Sequence, residues 1–157
     1  MKQYFLPVAA AVLLTGFPLV ASLHMNQGHF VYTLDDPYIH LSLASSIATG
    51  HYGINPGEFT SPSSSVIWPF LLVPFHAAGF FQYVPLALNL IFAFISGVLL
   101  YRFFGERNTL PFLVSLLAFN IPGLVLTGME HSLQILITVF IAVEVAGSIK
   151  SAKYSRL

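Results

Sequence analysis

Tyr4 to Leu23 is a run of twenty residues without a charge, and about 20 apolar residues suffice to cross the hydrocarbon core of a bilayer. Two further runs have the same character. Val84 to Phe104 holds Asn89 as its only strongly polar residue before Arg102, and Ser132 to Ser148 is apolar apart from Gln134 and Glu144. A weaker run, Leu110 to Thr127, is interrupted by Asn120 and Pro122. These runs sit in a chain with 8% charged residues and a mean hydropathy of +0.79, against about 25% charged in an ordinary soluble domain. Together they exclude a soluble globular fold and predict an all-α membrane protein in one domain. Tyr4 to Leu23 has a second reading as a cleaved signal peptide, because Val20-Ala21-Ser22 offers small residues near a possible cleavage point.

The long polar interval is Thr33 to Pro62, which carries Asp35, Asp36, Glu58, His40 and His51 and neither Lys nor Arg. Asp36-Pro37 predicts a helix start, with a carboxylate cap followed by proline where its missing N–H is harmless. Gly50 predicts the stop. Between them Ile39, Leu43 and Ile47 make an apolar stripe opposite Ser42, Ser45, Ser46 and Thr49, and a helix this short is expected to lie in the interface. His51 to Pro62 is punctuated by Gly53, Asn55-Pro56-Gly57 and Ser61-Pro62 and reads as loop.

Charge then sets the topology. If Ser63 to Phe80 crossed the bilayer with the N-terminus inside, Arg102, Arg107 and the tail bearing Lys150, Lys153 and Arg156 would all fall outside, against the positive-inside rule. If it does not cross, every Lys and Arg is cytoplasmic and Asp35, Asp36, Glu58 and Glu130 are external. The expected layout is four transmembrane helices (4–23, 84–104, 110–127 and 132–148), an outer loop over 24–82 with two juxtamembrane helices, and a cytoplasmic tail over 149–157. Both termini are then cytoplasmic in a multi-pass protein of a bacterial inner membrane. Ser63 to Phe80, broken by Pro69, Pro74 and His76, becomes a re-entrant or interfacial segment covered by protein.

Net charge is zero and no basic patch interleaves with aromatics, which argues against nucleic acid as a partner. The chain has no cysteine, so any metal would be held by Asp, Glu or His. Asp35 and Asp36, just outside the bilayer, suit a general base or a cation bridging to phosphate. The alternative for Asp36 is helix capping, which explains one aspartate and leaves Asp35 unexplained. His40, one turn beyond Asp36, could pair with it or be an ordinary interfacial histidine. His51 and Glu58 could add nitrogen and oxygen ligands, although their spacing matches no ligand motif. Glu130 heads the last apolar run, where the helix dipole favours a carboxylate and a membrane cavity would make it functional.

The stretches LDDPYIHLSLASSIATGHYGINPGE, TSPSSSVIWPFLL and TGMEHSLQILI resemble the GT-C class of polytopic membrane glycosyltransferases, in the branch related to protein mannosyltransferases and bacterial lipid or cell-wall sugar transferases. The resemblance implies an acidic motif on an outer juxtamembrane helix, with Asp35 as the base that deprotonates an acceptor hydroxyl, Asp36 assisting and Glu130 as a further acidic residue; His40, His51 and Glu58 are the substrate-binding candidates beside them. It implies a polyprenyl-phosphate sugar as donor, inversion at the anomeric carbon, and in some members a divalent cation. Some branches carry arginine where this chain has Ser42 and Ser45, which leaves the donor phosphate without an obvious cation. The likeness covers the N-terminal part of the family, whose members have many more spans, so a second membrane chain that completes the fold is an expected partner beside membrane lipid. The alternative is a non-catalytic membrane protein, truncated or dependent on a partner. Orientation is open to a direct check in this cysteine-free chain: Ser45→Cys is expected to react with an impermeant thiol reagent from the outer side and Asn108→Cys is not, and the reverse pattern would overturn the topology.

Overall fold

The computed structural model describes residues 2–55, 57–105 and 109–154, with the side chains of 2–8, 10, 11, 105 and 150–154 left out of the description. Pro56, Glu106, Arg107, Asn108 and Arg156, and the side chains of Lys2, Lys150 and Lys153, lie outside the described residues. Within the described residues the chain is all-helical. Its helices are α1 (Lys2–Met25), α2 (Asp36–Ala48), α3 (Ile67–Leu72), α4 (Val84–Leu100), α5 (Thr109–Ala118), α6 (Ile121–Val125) and α7 (His131–Tyr154).

Two segments are long and apolar enough to cross a membrane, Phe81–Phe104 and His131–Ile149, and they are only 28% and 11% buried. A core helix of a soluble protein would be mostly covered. Their uncovered sides carry Ile91, Phe94, Phe140, Ile141 and Val145, side chains that suit a hydrocarbon solvent. The 24 residues of α1 reach about 36 Å at 1.5 Å per residue, and Val12, Leu13, Phe17 and Val20 are exposed along it.

The run from Leu110 to Thr127 is not one helix. It breaks after α5, where Asn120 takes a left-handed backbone (φ 48°), and α6 restarts with Pro122 near its beginning. Proline offers no N–H to continue the ladder of α5, and the Asn120 side chain packs over Gly123, where a Cβ would come within 2.6 Å of it. The ten residues of α5 reach about 15 Å, half of a bilayer core. Ser63 to Phe80 is also short of a crossing. Pro69 and Pro74 leave it as the six-residue α3 and a 3-10 turn over Val73–Phe75.

The local signals of α2 are partly rearranged. Its C-terminus closes as expected: Gly50 is left-handed (φ 82°), its N–H donates to Ile47 O (2.9 Å) and the His51 N–H donates to Ser46 O (3.0 Å), a Schellman closure. Its N-terminus differs. Asp36 is the first helical residue and Asp35 holds the cap position with helical dihedrals and no capping side-chain bond, so neither carboxylate does the capping expected of Asp36. The buried face is Pro37, His40, Leu41, Leu43 and Ala44, so Leu43 of the expected stripe is buried and its ends Ile39 and Ile47 only half-buried, the face being turned so that Leu41 and Ala44 pack against Trp68 and Leu72 of α3 and Val84 of α4.

Gly128, in the turn before α7, joins these pieces. Its backbone is left-handed (φ 70°), and a Cβ there would lie 2.5 Å from the Tyr32 ring and 2.9 Å from Pro37 Cβ. Its carbonyl accepts the Trp68 indole N–H (3.0 Å). Tyr32 in turn donates through its hydroxyl to Gln82 O (2.8 Å) and accepts from the Leu86 N–H (3.1 Å). One junction therefore gathers the starts of α2, α4 and α7 at one end of the helices, and α4 and α7 run in the same direction from it. The other end closes on Leu100, Tyr101, Phe112, Leu116, Ile121 and Val139. An apolar cavity of about 190 Å³ lies between α1, α4, α5 and α6, lined by Val12, Leu90, Phe94, Leu116 and Pro122 among others. Gly128→Ala is expected to lower stability by about 2–4 kcal/mol, the sum of a left-handed alanine and an overpacked contact. Gly50→Ala, with open space around the added methyl, is expected to cost only about 1 kcal/mol. Thermal unfolding of the two variants in detergent compares them, and equal losses would refute the junction.

Candidate functional site

The two acidic stretches that lie almost a hundred residues apart meet at this junction. Pro37 contacts Gly128 and places His40, one turn later on the same helix face, towards the residues that follow Gly128. Glu130 precedes α7, and its carbonyl accepts the N–H groups of Leu133 (2.9 Å) and Gln134 (3.0 Å). His40 is 1% exposed and Glu130 6%. Both Glu130 and Asp36 act electrostatically on the His40 ring. Asp36 is half-buried and Asp35 exposed, and neither carboxylate is hydrogen-bonded among the described residues.

His40 is held from one side. Its Nδ1 lies 2.9 Å from Ser63 Oγ. Ser63 also accepts the Ser65 N–H (3.1 Å) and gives its own hydroxyl proton to the Ser65 carbonyl. A hydroxyl has one proton to give, so we assign His40 Nδ1 as the donor to Ser63, which leaves Nε2 with its lone pair. Nε2 is buried and unpartnered, as is Glu130 Oε2. Asn89 Oδ1 and Ser132 Oγ are the other two buried side-chain atoms without a partner among the described residues. The Asn89 amide nitrogen reaches Val125 O at 3.5 Å, a long contact that ties α4 to α6.

Burial pushes the His40 imidazole below its usual value, and the carboxylates of Glu130 and Asp36 pull it partly back. Burial acts in the opposite sense on the Tyr32 hydroxyl, holding it well above the usual tyrosine value, so it remains a hydrogen-bond donor at the junction.

His51 and Glu58 belong to a different assembly. His51 Nε2 donates to Asn55 O (2.9 Å), and Asn55 Nδ2 donates to Glu58 Oε2 (2.8 Å). Their partners are within their own loop, which explains the pair as a brace for the turn around Gly53, where a Cβ would strike the Glu58 carbonyl. Among the described residues no three His, Asp or Glu side chains gather as cation ligands.

Ser63, Trp68, Tyr32 and Gly128 shape the site, and the sequence pattern gave them no role. Gly128 was the most legible of them, as a glycine just before a helix start, yet nothing local says that an aromatic ring and a proline close over it. Comparison with protein-family models, with curated proteins and with solved structures finds no match to this chain.

The histidine gives the site a pH signature. With the folded value below the ordinary 6.5, the unfolded chain binds the extra proton in the interval between the two. Stability is then full above about pH 6.5 and is lost as pH falls from there through the folded value. Unfolding midpoints measured from pH 7.5 downwards are expected to show this loss in the wild type and to lack the His40 share of it in His40→Gln; identical profiles would remove His40 from the account.

Proposed function

We propose that this chain is a multi-pass inner-membrane protein of glycosyltransferase type, which transfers a sugar from a polyprenyl-phosphate carrier to an acceptor hydroxyl on the outer face. In this reading α1, α4, the broken pair α5–α6 and α7 make four crossings, and both termini are cytoplasmic. The observation that carries it is the convergence of two separate acidic stretches on one end of the helices, with Asp35 and Asp36 left out of capping. An uncapped exposed carboxylate beside a membrane is free to take a proton. Asp35 removes the proton of the acceptor hydroxyl, the oxygen attacks the anomeric carbon, and the bond to phosphate breaks to release the polyprenyl phosphate with inversion. Asp36, one residue on and half-buried, assists or positions it.

In membranes from cells producing the chain and supplied with a radiolabelled polyprenyl-phosphate sugar, Asp35→Asn is expected to reduce transfer by at least about a hundredfold, the usual worth of a general base. Its amount in the membrane should not change. Transfer at the wild-type rate would end the catalytic reading.

A specific observation favours a second reading, a non-catalytic protein that works with a membrane partner. Glu144 is exposed on α7 in a row with Phe140, Ile141 and Val145, and a carboxylate facing hydrocarbon is costly enough to call for a partner. Under this reading a second chain co-purifies in mild detergent and is lost with Glu144→Ala, while Asp35→Asn leaves the complex intact. Retention of the partner by Glu144→Ala would remove this support.

A further inference from the structure

We propose that the groove beside α4 at the end away from the Gly128 junction binds one anionic phospholipid of the phosphatidylglycerol kind, with an acyl chain in the apolar cavity and the phosphate met by Arg102. The proposal rests on the membrane placement of α4 and uses none of the glycosyltransferase chemistry, which belongs to the opposite end of the helices.

The cavity of about 190 Å³ is lined by Leu90, Phe94 and Val98 of α4 and by Val12 and Thr15 of α1, among others. Of its lining side chains only those of Thr15 and Tyr101 carry a polar atom. A dry apolar cavity of about 150 Å³ takes a body the size of benzene, so this one has room for a stretch of a single hydrocarbon chain and none for a head group. A partner helix, about 10 Å across, does not enter it. Val12 and Phe94 are 63% and 60% exposed, so the cavity opens on the sides of the helices, where a bilayer presents its lipid chains. Space remains beside Gly97, another lining residue, where an added Cβ would meet no neighbouring atom within 4 Å.

The charge lies at the end of the same row. Leu90, Phe94 and Val98 recur every fourth residue along one face of α4, and the next position in that spacing is Arg102, in the π turn over Tyr101–Gly105 that follows the helix. Arg102 is exposed and has no hydrogen bond or ion pair among the described residues. From Leu90 to Arg102 the row rises about 18 Å at 1.5 Å per residue, against about 15 Å for the hydrocarbon of one leaflet. An apolar row of that length with a guanidinium at its end has the layout of a phospholipid seen from the tail. Guanidinium pairs with phosphate through two parallel N–H donors, and its unopposed charge favours a net anionic lipid over a zwitterionic one.

The full chain, recovered from the membrane fraction and stripped of lipid in detergent, is titrated with dioleoyl phosphatidylglycerol, with the matching phosphatidylcholine and with a polyprenyl phosphate. Retained lipid is read by native mass spectrometry and stability by the unfolding midpoint. One phosphatidylglycerol per chain is expected, with a saturable rise of the midpoint. Arg102→Gln is expected to weaken retention about tenfold, as loss of a hydrogen bond to a charged group does, and Arg102→Lys to keep part of it. Gly97→Phe, which puts a ring into the cavity, is expected to abolish retention while raising the midpoint of the lipid-free protein; if that ring prevents folding, the smaller Gly97→Leu decides. Asp35→Asn is expected to retain lipid as the wild type does, whatever its effect on transfer. Unchanged retention in Arg102→Gln or in the folded Gly97 variant, equal retention of phosphatidylcholine, or tighter retention of the polyprenyl phosphate would each overturn the proposal. A chain in the membrane fraction whose variants all bind lipid alike loses the site and keeps the membrane reading, whereas a chain absent from that fraction loses both.

Discussion

The close approach at Gly128 is the constraint on which the rest of this structure depends. A left-handed backbone without a Cβ lets the Tyr32 ring and Pro37 close on one peptide whose carbonyl also takes the Trp68 indole proton. Each contact belongs to a different segment. The Tyr32 hydroxyl extends the junction to the first turn of α4 through Gln82 and Leu86. In a membrane the hydrophobic effect does little to bring helices together, so association falls to packing and to hydrogen bonds of this kind. Small residues permit the approach, and the buried donors fix its geometry.

The electrostatics follow from that placement. Since Pro37 is pinned at the junction, His40 turns inward one helical turn later, and Glu130 is fixed two residues after the same glycine. Their proximity is thus a by-product of packing that neither stretch could specify alone. His40 Nε2 and Glu130 Oε2 without a partner are unusual for a buried place, where polar groups are nearly always satisfied. Local rules are most often broken where a protein binds something. The loop over His51 to Glu58 makes the contrast: its polar side chains satisfy one another through Asn55 and so have little left to offer a ligand.

Some of this was legible in order along the chain. Gly50 announced the end of α2, the prolines at 69 and 74 announced a broken segment, and the apolar runs of α4 and α7 announced the two helices long and apolar enough to cross a membrane. Other features were misread for identifiable reasons. Asp36-Pro37 looks like a cap followed by the first helical residue, yet the helix begins one residue earlier because Pro37 is anchored under Gly128 and Asp35 takes helical dihedrals. The stripe through Ile39, Leu43 and Ile47 is buried at Leu43 and only half-buried at its ends, because the face that packs is turned towards Trp68 and Leu72. Leu110 to Thr127 has the apolarity of a span, and a left-handed Asn120 divides it.

By itself, then, the sequence determined the kind of element this chain builds, since long apolar runs favour helices that satisfy their own backbone hydrogen bonds. Only the tertiary structure decided which of its polar residues meet. That His40 bonds Ser63 rather than its own neighbour Asp36 in the helix, and that the turn holding Gly128 closes on Tyr32 and Pro37, depend on contacts between segments tens of residues apart. Periodicity and composition report what a residue prefers to touch; which surface is there to be touched is set by the packing of the whole chain.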